Sequence, residues 1–254
     1  MGQDRDRPED ILATYGREAA TWARQRNRSL WERPALAACV AGRAPGLRVL
    51  DLGCGSGQPI AEWFIARGDA VTGVDGAAAM LAEAHARVPE MERVLADMRG
   101  LALGRDFDIL LAFNSFFHLS PDDQRAMFTV FAAHAAPDAR LLLTTGPAAA
   151  EAVGRVGQSP VYHASLEPSE YRALLAAHGF AELWFRPEDA ELAGHSVWLA
   201  RFAGNPAAGG PSTAVLGRRR RHRHRPMRSP HRQSRPASAP ASRDRGCSPG
   251  RRLR

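Results

Sequence analysis

An apolar run from Leu47 to Leu52 carries an acid, Asp51, and passes directly into Gly53-Cys54-Gly55-Ser56-Gly57. Three glycines at alternate positions let the backbone turn sharply and lie against a ligand without Cβ interference, leaving unpaired amide N–H groups at the start of the next helix. The segment therefore reads as strand, turn, helix. Loops of this shape hold either phosphates or an adenosyl group.

The pattern that follows supports an α/β fold. Strand-like runs at Leu47 to Leu52, Ala70 to Val74, Arg93 to Ala96, Asp108 to Phe113 and Arg140 to Thr145 alternate with helical patterns from Pro59 to Arg67, Ala77 to Arg87 and Pro168 to His178. Their continuous apolar character suits strands buried on both faces of a parallel sheet. Ser120-Pro121-Asp122-Asp123 supplies an N-cap, a proline at the first helical position and an acid at the third, ahead of Met127, Val130 and Phe131. Two late strands, Ala181 to Phe185 and Ser196 to Phe202, read as an antiparallel pair. The expected architecture is a Rossmann-like, seven-stranded, mostly parallel sheet with helices on both faces and its last strand antiparallel.

Before the first strand, Ile11, Leu12, Tyr15, Ala19 and Trp22 recur at helical spacing, and residues 30 to 42 suggest a second helix. Residues 1–44 are thus expected to form an N-terminal helical cap and 45–202 the cofactor-binding domain. Residues 203–254 contain fourteen arginines against one acid, Asp244, so they carry +13 of a chain whose net charge is +7; residues 1–202 carry −6. With almost nothing to bury, this Arg/Pro/Ser-rich tail is expected to be disordered. It could bind nucleic acid through phosphate contacts. Against that, it lacks aromatic residues for stacking, the acidic body offers no matching groove, and out-of-frame reading of a GC-rich gene gives the same composition.

All 34 Lys/Arg positions are arginine, which excludes Schiff-base and P-loop lysine chemistry. Cysteines at 39, 54 and 247 have no paired metal-ligand spacing, so no metal site is expected. Residues 1 to 10 are charged, and no apolar run approaches the roughly 18 residues of a membrane span, so a cytoplasmic protein without a membrane segment is expected.

The glycine spacing separates the possible cofactors. A dinucleotide loop wants G-x-G-x-x-G, but here the third glycine comes one position early and Gln58 stands in its place. Asp51 would also repel a pyrophosphate. A nicotinamide oxidoreductase is therefore disfavoured.

Asp51-Leu52-Gly53-Cys54-Gly55-Ser56-Gly57 resembles the glycine motif of class I S-adenosylmethionine-dependent methyltransferases. Further segments resemble that family in the same order: Val71-Thr72-Gly73-Val74-Asp75, Ala96-Asp97-Met98, and Phe107-Asp108-Ile109-Leu110 leading to Phe113-Asn114-Ser115-Phe116-Phe117-His118-Leu119. The likeness runs from about residue 10 to 202. It includes Tyr15-Gly16-Arg17-Glu18-Ala19-Ala20 and Gly194-His195-Ser196-Val197-Trp198-Leu199, similar to small bacterial methyltransferases of unassigned substrate.

The resemblance implies S-adenosylmethionine as cofactor. Asp51, Gly53, Cys54, Gly55 and Gly57 would form its loop, Asp75 would hold the ribose hydroxyls, and Asp97 would meet the adenine amino group with Met98 beside the ring. Phe113 would stand near the methyl group. Cys54 is read as loop backbone rather than nucleophile, because no Cys/His pairing is visible. No obligatory catalytic residue follows from the family; His118 is the best candidate for a general base, against a purely structural place in the turn. Asn114 lies outside the Asn/Asp-Pro-Pro-Tyr pattern used on nucleobase amino groups, since Ser115-Phe116 replaces the prolines.

Tyr15, Trp22 and Trp31, with a loop from Gly146 to Ser165 that includes Tyr162 and His163, are expected to cover the site. The implied activity is methyl transfer to a small-molecule oxygen, nitrogen or carbon nucleophile. The alternative is an RNA-binding protein, or an RNA methyltransferase recruited through the basic tail.

Overall fold

The computed structural model describes residues 7–204. The expectations for the tail, including disorder, nucleic-acid contact and Cys247, lie outside the described residues.

The helical cap comprises α1 (Ile11–Gln25) and α2 (Arg33–Cys39). After β1 (Arg48–Leu52) the chain alternates through α3 (Ile60–Arg67), β2 (Ala70–Asp75), α4 (Ala78–Arg87), β3 (Glu92–Leu95) and β4 (Phe107–Ala112). It continues with α5 (Pro121–His134), β5 (Ala135–Thr145), β6 (Ala150–Val156), β7 (Ser159–Ser165), α6 (Pro168–Ala177), β8 (Phe180–Asp189) and β9 (His195–Phe202). Local chemistry sets several boundaries. Gly68, at φ +94°, ends α3 in the left-handed conformation that glycine adopts without a Cβ penalty. Ser120 Oγ accepts from Asp123 N and caps α5, as its sequence predicts.

Seven strands form one sheet in the order β3-β2-β1-β4-β5-β9-β8. Its pairings are parallel from β3 through β5, while β9 runs antiparallel to both β5 and β8. The architecture read from the sequence is the one found. Strand order reverses beside β1 and β4, which opens a crevice at their carboxyl ends.

Each face of the sheet carries its own core. Leu50, Leu52, Leu110 and Ala112 pack with Phe128 and Phe131 of α5 and Tyr171 of α6 on one side. On the other, Val49, Ile109 and Leu111 pack with Leu36 of α2 and Phe64 of α3. The two-residue alternation along β1 and β4 produces this division.

One expectation is corrected here. The segment from Gly146 to Ser165 is largely a hairpin, β6 against β7 in a separate two-stranded sheet, rather than a loop. Gly157, at φ +56°, stands in its turn. A buried polar network ties β7 to the segment after β4: Gln124 Nε2 donates to the carbonyls of Leu119 (3.0 Å) and Ala164 (2.9 Å). The Tyr171 hydroxyl donates to Gln124 Oε1 (2.5 Å) and accepts from Leu166 N (3.0 Å). With every polar group partnered, such a network holds two irregular segments in one arrangement.

Candidate functional site

The glycine loop is pinned from below. Gly53 N and Cys54 N both donate to Val74 O at the end of β2, at 2.8 and 3.1 Å. Gly53 and Gly55 have φ of +77° and +55°, and both lack room for a side chain. A Cβ on Gly53 would stand 2.4 Å from Ser115 Cβ, and one on Gly55 would stand 2.9 Å from the Trp22 indole. Ser115 is locked by its own bond, Oγ donating to Leu52 O at 2.6 Å. Asp75 closes the arrangement: its Oδ2 accepts from Gly55 N (3.0 Å) and its Oδ1 from Ala77 N (2.8 Å).

A cavity opens above this loop at the carboxyl edge of the sheet. Gly53, Gly55, Asp75, Asp97, Met98 and His118 all line it. Residues drawn from four separate sequence segments therefore converge. Helix α1 forms the cover with Leu12, Tyr15 and Trp22. It is seated on the hairpin through Ile11 packed with Val156 and Val161, and through Glu18 Oε1 accepting from Ser159 Oγ at 2.8 Å. On its other side Ala19 packs with Ala77 and Met80.

Five of the expected residues stand behind the wall rather than in it. Phe113 is corrected most clearly: it continues the side-chain face of Ile109 and Leu111, is 4% exposed, and packs in the opposite core with Trp31, ring centroids 5.7 Å apart. Trp31, stacked on His195 at 4.3 Å, is likewise core rather than cover. Cys54 turns its Sγ toward Gly73, where a Cβ would be only 2.7 Å away, and burial pushes its thiol well above the usual range. Gly57 faces Val88 and Met91, which leave little space for a Cβ.

Asp51 is the fifth, 4% exposed beneath the loop. Burial, then the nearby charge of Asp75, raises its carboxyl to about 7, against an opposing pull from Arg26. At the end of α1, Arg24 and Arg28 are exposed whereas Arg26 turns inward. Its guanidinium lies over Trp22, 5.7 Å from the ring, and pairs with Glu32, which is fully buried and has its Oε2 unpartnered among the described residues.

His118 sits between two partners. Its Nδ1 lies 2.8 Å from Tyr162 O, and its Nε2 lies 2.9 Å from the Tyr15 hydroxyl. A carbonyl can only accept, so Nδ1 carries the proton, Nε2 bears the lone pair, and Tyr15 donates to it. Burial lowers His118 to about 4 and moves Tyr15 far above its ordinary value. The imidazole is therefore neutral across the physiological range. Beside it, Asn114 has left-handed backbone (φ +54°) and a buried side-chain carbonyl without a partner among the described residues, while it lines the cavity.

Arg99 went unnoticed in the sequence. It lines the cavity and grips Asp97, with Nη2 donating to Oδ2 at 2.6 Å and Nε within 3.1 Å of both oxygens. Sequence offers one usable signal for it, an arginine two residues after a strand-end acid.

This site and sheet order define a Rossmann-like fold of the methyltransferase kind. Residues 49–138 match the family model described as a methyltransferase domain. Among solved structures, that of DhpI in complex with SAH is 21% identical, with TM-score 0.61, over 80% of this chain and all of that one. The SAM-bound amino pentose methyltransferase CalS10 from Micromonospora echinaspora is 23% identical, with TM-score 0.55, over 73% of this chain and 96% of the other. The 1,6-didemethyltoxoflavin-N1-methyltransferase of Burkholderia thailandensis, with its substrate and S-adenosylhomocysteine, is 20% identical, with TM-score 0.57, over 80% and 94%. At these identities the likeness speaks to the fold. No curated protein matches the chain. No helix among the described residues is long and apolar enough to cross a membrane.

Proposed function

We propose that the protein is a cytoplasmic, S-adenosylmethionine-dependent methyltransferase acting on a small-molecule oxygen, nitrogen or carbon nucleophile. One observation carries the reading: Gly53, Gly55, Asp75, Asp97 and Met98, far apart in sequence, line a single cavity at the point where strand order reverses. The cradle fits an adenosyl group, because a Cβ at Gly53 or Gly55 has no room and Asp75 keeps free lone pairs on both oxygens. The small-molecule acceptor is supported by structural neighbours named for an amino pentose and for 1,6-didemethyltoxoflavin.

The cofactor supplies an electrophilic methyl group on a sulfonium, and displacement there gains mainly from alignment and exclusion of water. Asp75 anchors the ribose, and Met98 packs beside the base. Asp51, buried beneath the loop, acts on a cationic amino acid moiety only through its charge, from behind the loop backbone. Trp22, Leu12 and Tyr15 of α1 exclude water from above.

His118 and Tyr15 form the proton path. The Tyr15 oxygen receives the acceptor's proton as Tyr15 passes its own to His118 Nε2, whose tautomer Tyr162 O fixes. An imidazole with a pKa of about 4 is a weak base. It suits an acceptor, such as a neutral amine, whose proton becomes acidic as the methyl arrives.

Calorimetric titration tests the reading. Wild-type protein should bind S-adenosylmethionine and S-adenosylhomocysteine, and Asp75→Ala should weaken both about tenfold or more. Absence of binding, or an unchanged affinity in the variant, would overturn it.

A further inference from the structure

We propose that Arg99 is the positioning residue of the nucleobase subsite, holding Asp97 as a fixed anionic acceptor and thereby selecting a 6-amino purine over a 6-oxo purine. The inference rests on the reading that Asp97 receives the base amino group.

The geometry differs from a chance surface pair. Asp97 Oδ1 accepts from both Arg99 N (2.9 Å) and Arg99 Nε (3.1 Å), and Oδ2 accepts from Nε (3.0 Å) and Nη2 (2.6 Å). Both oxygens are engaged, so the carboxylate cannot rotate without breaking the fork. The remaining guanidinium arm reaches Asp123 Oδ2 at 3.3 Å. Asp123 is itself fixed in the first turn of α5, where its N–H donates to Ser120 Oγ at 3.1 Å. The exit of β3 is thereby tied to the start of α5 through one side chain, and Asp97, Met98 and Arg99 all face the cavity.

Arg99 also sets the protonation of its partner. Burial would raise Asp97, but the hydrogen bonds and charge of Arg99 outweigh it and hold the carboxyl below its usual range. An anionic carboxylate accepts from an exocyclic amino group and repels a carbonyl oxygen in the same place. A protonated, freely turning carboxyl loses this discrimination: its carbonyl still accepts from an amino group, but its O–H can donate to a 6-oxo group. Without Arg99, Asp97 would lose the partner that fixes its orientation and holds its carboxyl down. Lysine could restore the charge but not the planar fork.

The experiment titrates the full-length protein with S-adenosylhomocysteine and with S-inosylhomocysteine at pH 7.5 and 5.5. Wild type should favour the amino ligand by about tenfold or more at both pH values. Arg99→Gln should lose most of that preference, at least as much at pH 5.5 as at 7.5, with Arg99→Lys intermediate and Asp123→Asn shifted less in the same direction. A purely structural role would weaken both ligands equally and leave the ratio unchanged. A wild-type-like ratio in Arg99→Gln at both pH values overturns the proposal. Asp97→Asn separates the two levels of the argument. If it costs affinity while Arg99→Gln does not, only the role of Arg99 is wrong; if neither changes the ratio, the reading of Asp97 fails as well.

Discussion

The hydroxyl of Tyr15 donates to Nε2 of His118 across 2.9 Å, joining the covering helix α1 to the segment that follows β4. Because Tyr162 O already takes the Nδ1 proton, this contact fixes one tautomer and leaves no free basic nitrogen facing the cavity. The candidate base therefore acts through Tyr15. Its neutrality also has a cost to stability in acid.

His118 has a folded-state pKa of about 4, below the ordinary 6.5. The unfolded chain binds its proton first as pH falls, so the stability it contributes is fully present above 6.5 and is lost as pH drops toward 4, by about 3 kcal/mol at most. Urea unfolding of wild type and His118→Asn across that range should show a steeper loss in wild type. Equal slopes would contradict the buried neutral imidazole.

Asp51 behaves in the opposite sense. Its carboxyl is raised to about 7, so its contribution to stability is full below about 3.9 and is lost as pH rises through 7. Asp51→Asn should stabilise the ligand-free protein at pH 8 by about 2–4 kcal/mol while weakening S-adenosylmethionine. Thermal unfolding at pH 8 with calorimetry checks both. A variant less stable than wild type at that pH would show that the buried charge is compensated by another group.

Gly53→Ala meets two obstacles, a left-handed backbone at φ +77° and a Cβ only 2.4 Å from Ser115 Cβ. Ser115 cannot retreat without giving up its bond to Leu52 O. Destabilisation of about 2–4 kcal/mol is expected, with loss of cofactor binding. A denaturation midpoint within experimental error of wild type would contradict the crowding.

Gln124→Leu would orphan the Tyr171 hydroxyl and the carbonyls of Leu119 and Ala164 in the interior. We expect a loss of about 2–4 kcal/mol. Hydrogen exchange should quicken along β7 before the sheet strands. Uniform exchange changes would mean that the network does not hold the hairpin specifically.

The sequence made the central sheet legible because strands buried on both faces need unbroken apolar runs, and β1, β2, β4 and β5 have them. The cap was legible for a related reason: Ile11, Tyr15, Ala19 and Trp22 mark one helix face. The hairpin was not. β6 is exposed on both faces for most of its length and β7 opens with Ser159-Pro160, so neither shows the alternation that betrays a strand.

Of the residues expected at the site, Gly53, Gly55, Asp75 and Asp97 line the cavity because backbone turns place them almost independently of packing. Phe113 was misplaced because β4 alternates between two cores, and an aromatic side chain fits either. Arg99 and Arg26 are not legible in the sequence because a side chain's inward turn depends on a distant acid, Asp123 or Glu32, that sequence spacing does not reveal.

The most direct measurement is calorimetric titration of S-adenosylmethionine into wild type and Asp75→Ala at pH 7.5. Saturable binding at one site by wild type, weakened about tenfold or more in the variant, is the expected result. Wild type that takes up no S-adenosylmethionine, or a variant that binds it equally well, would contradict the account.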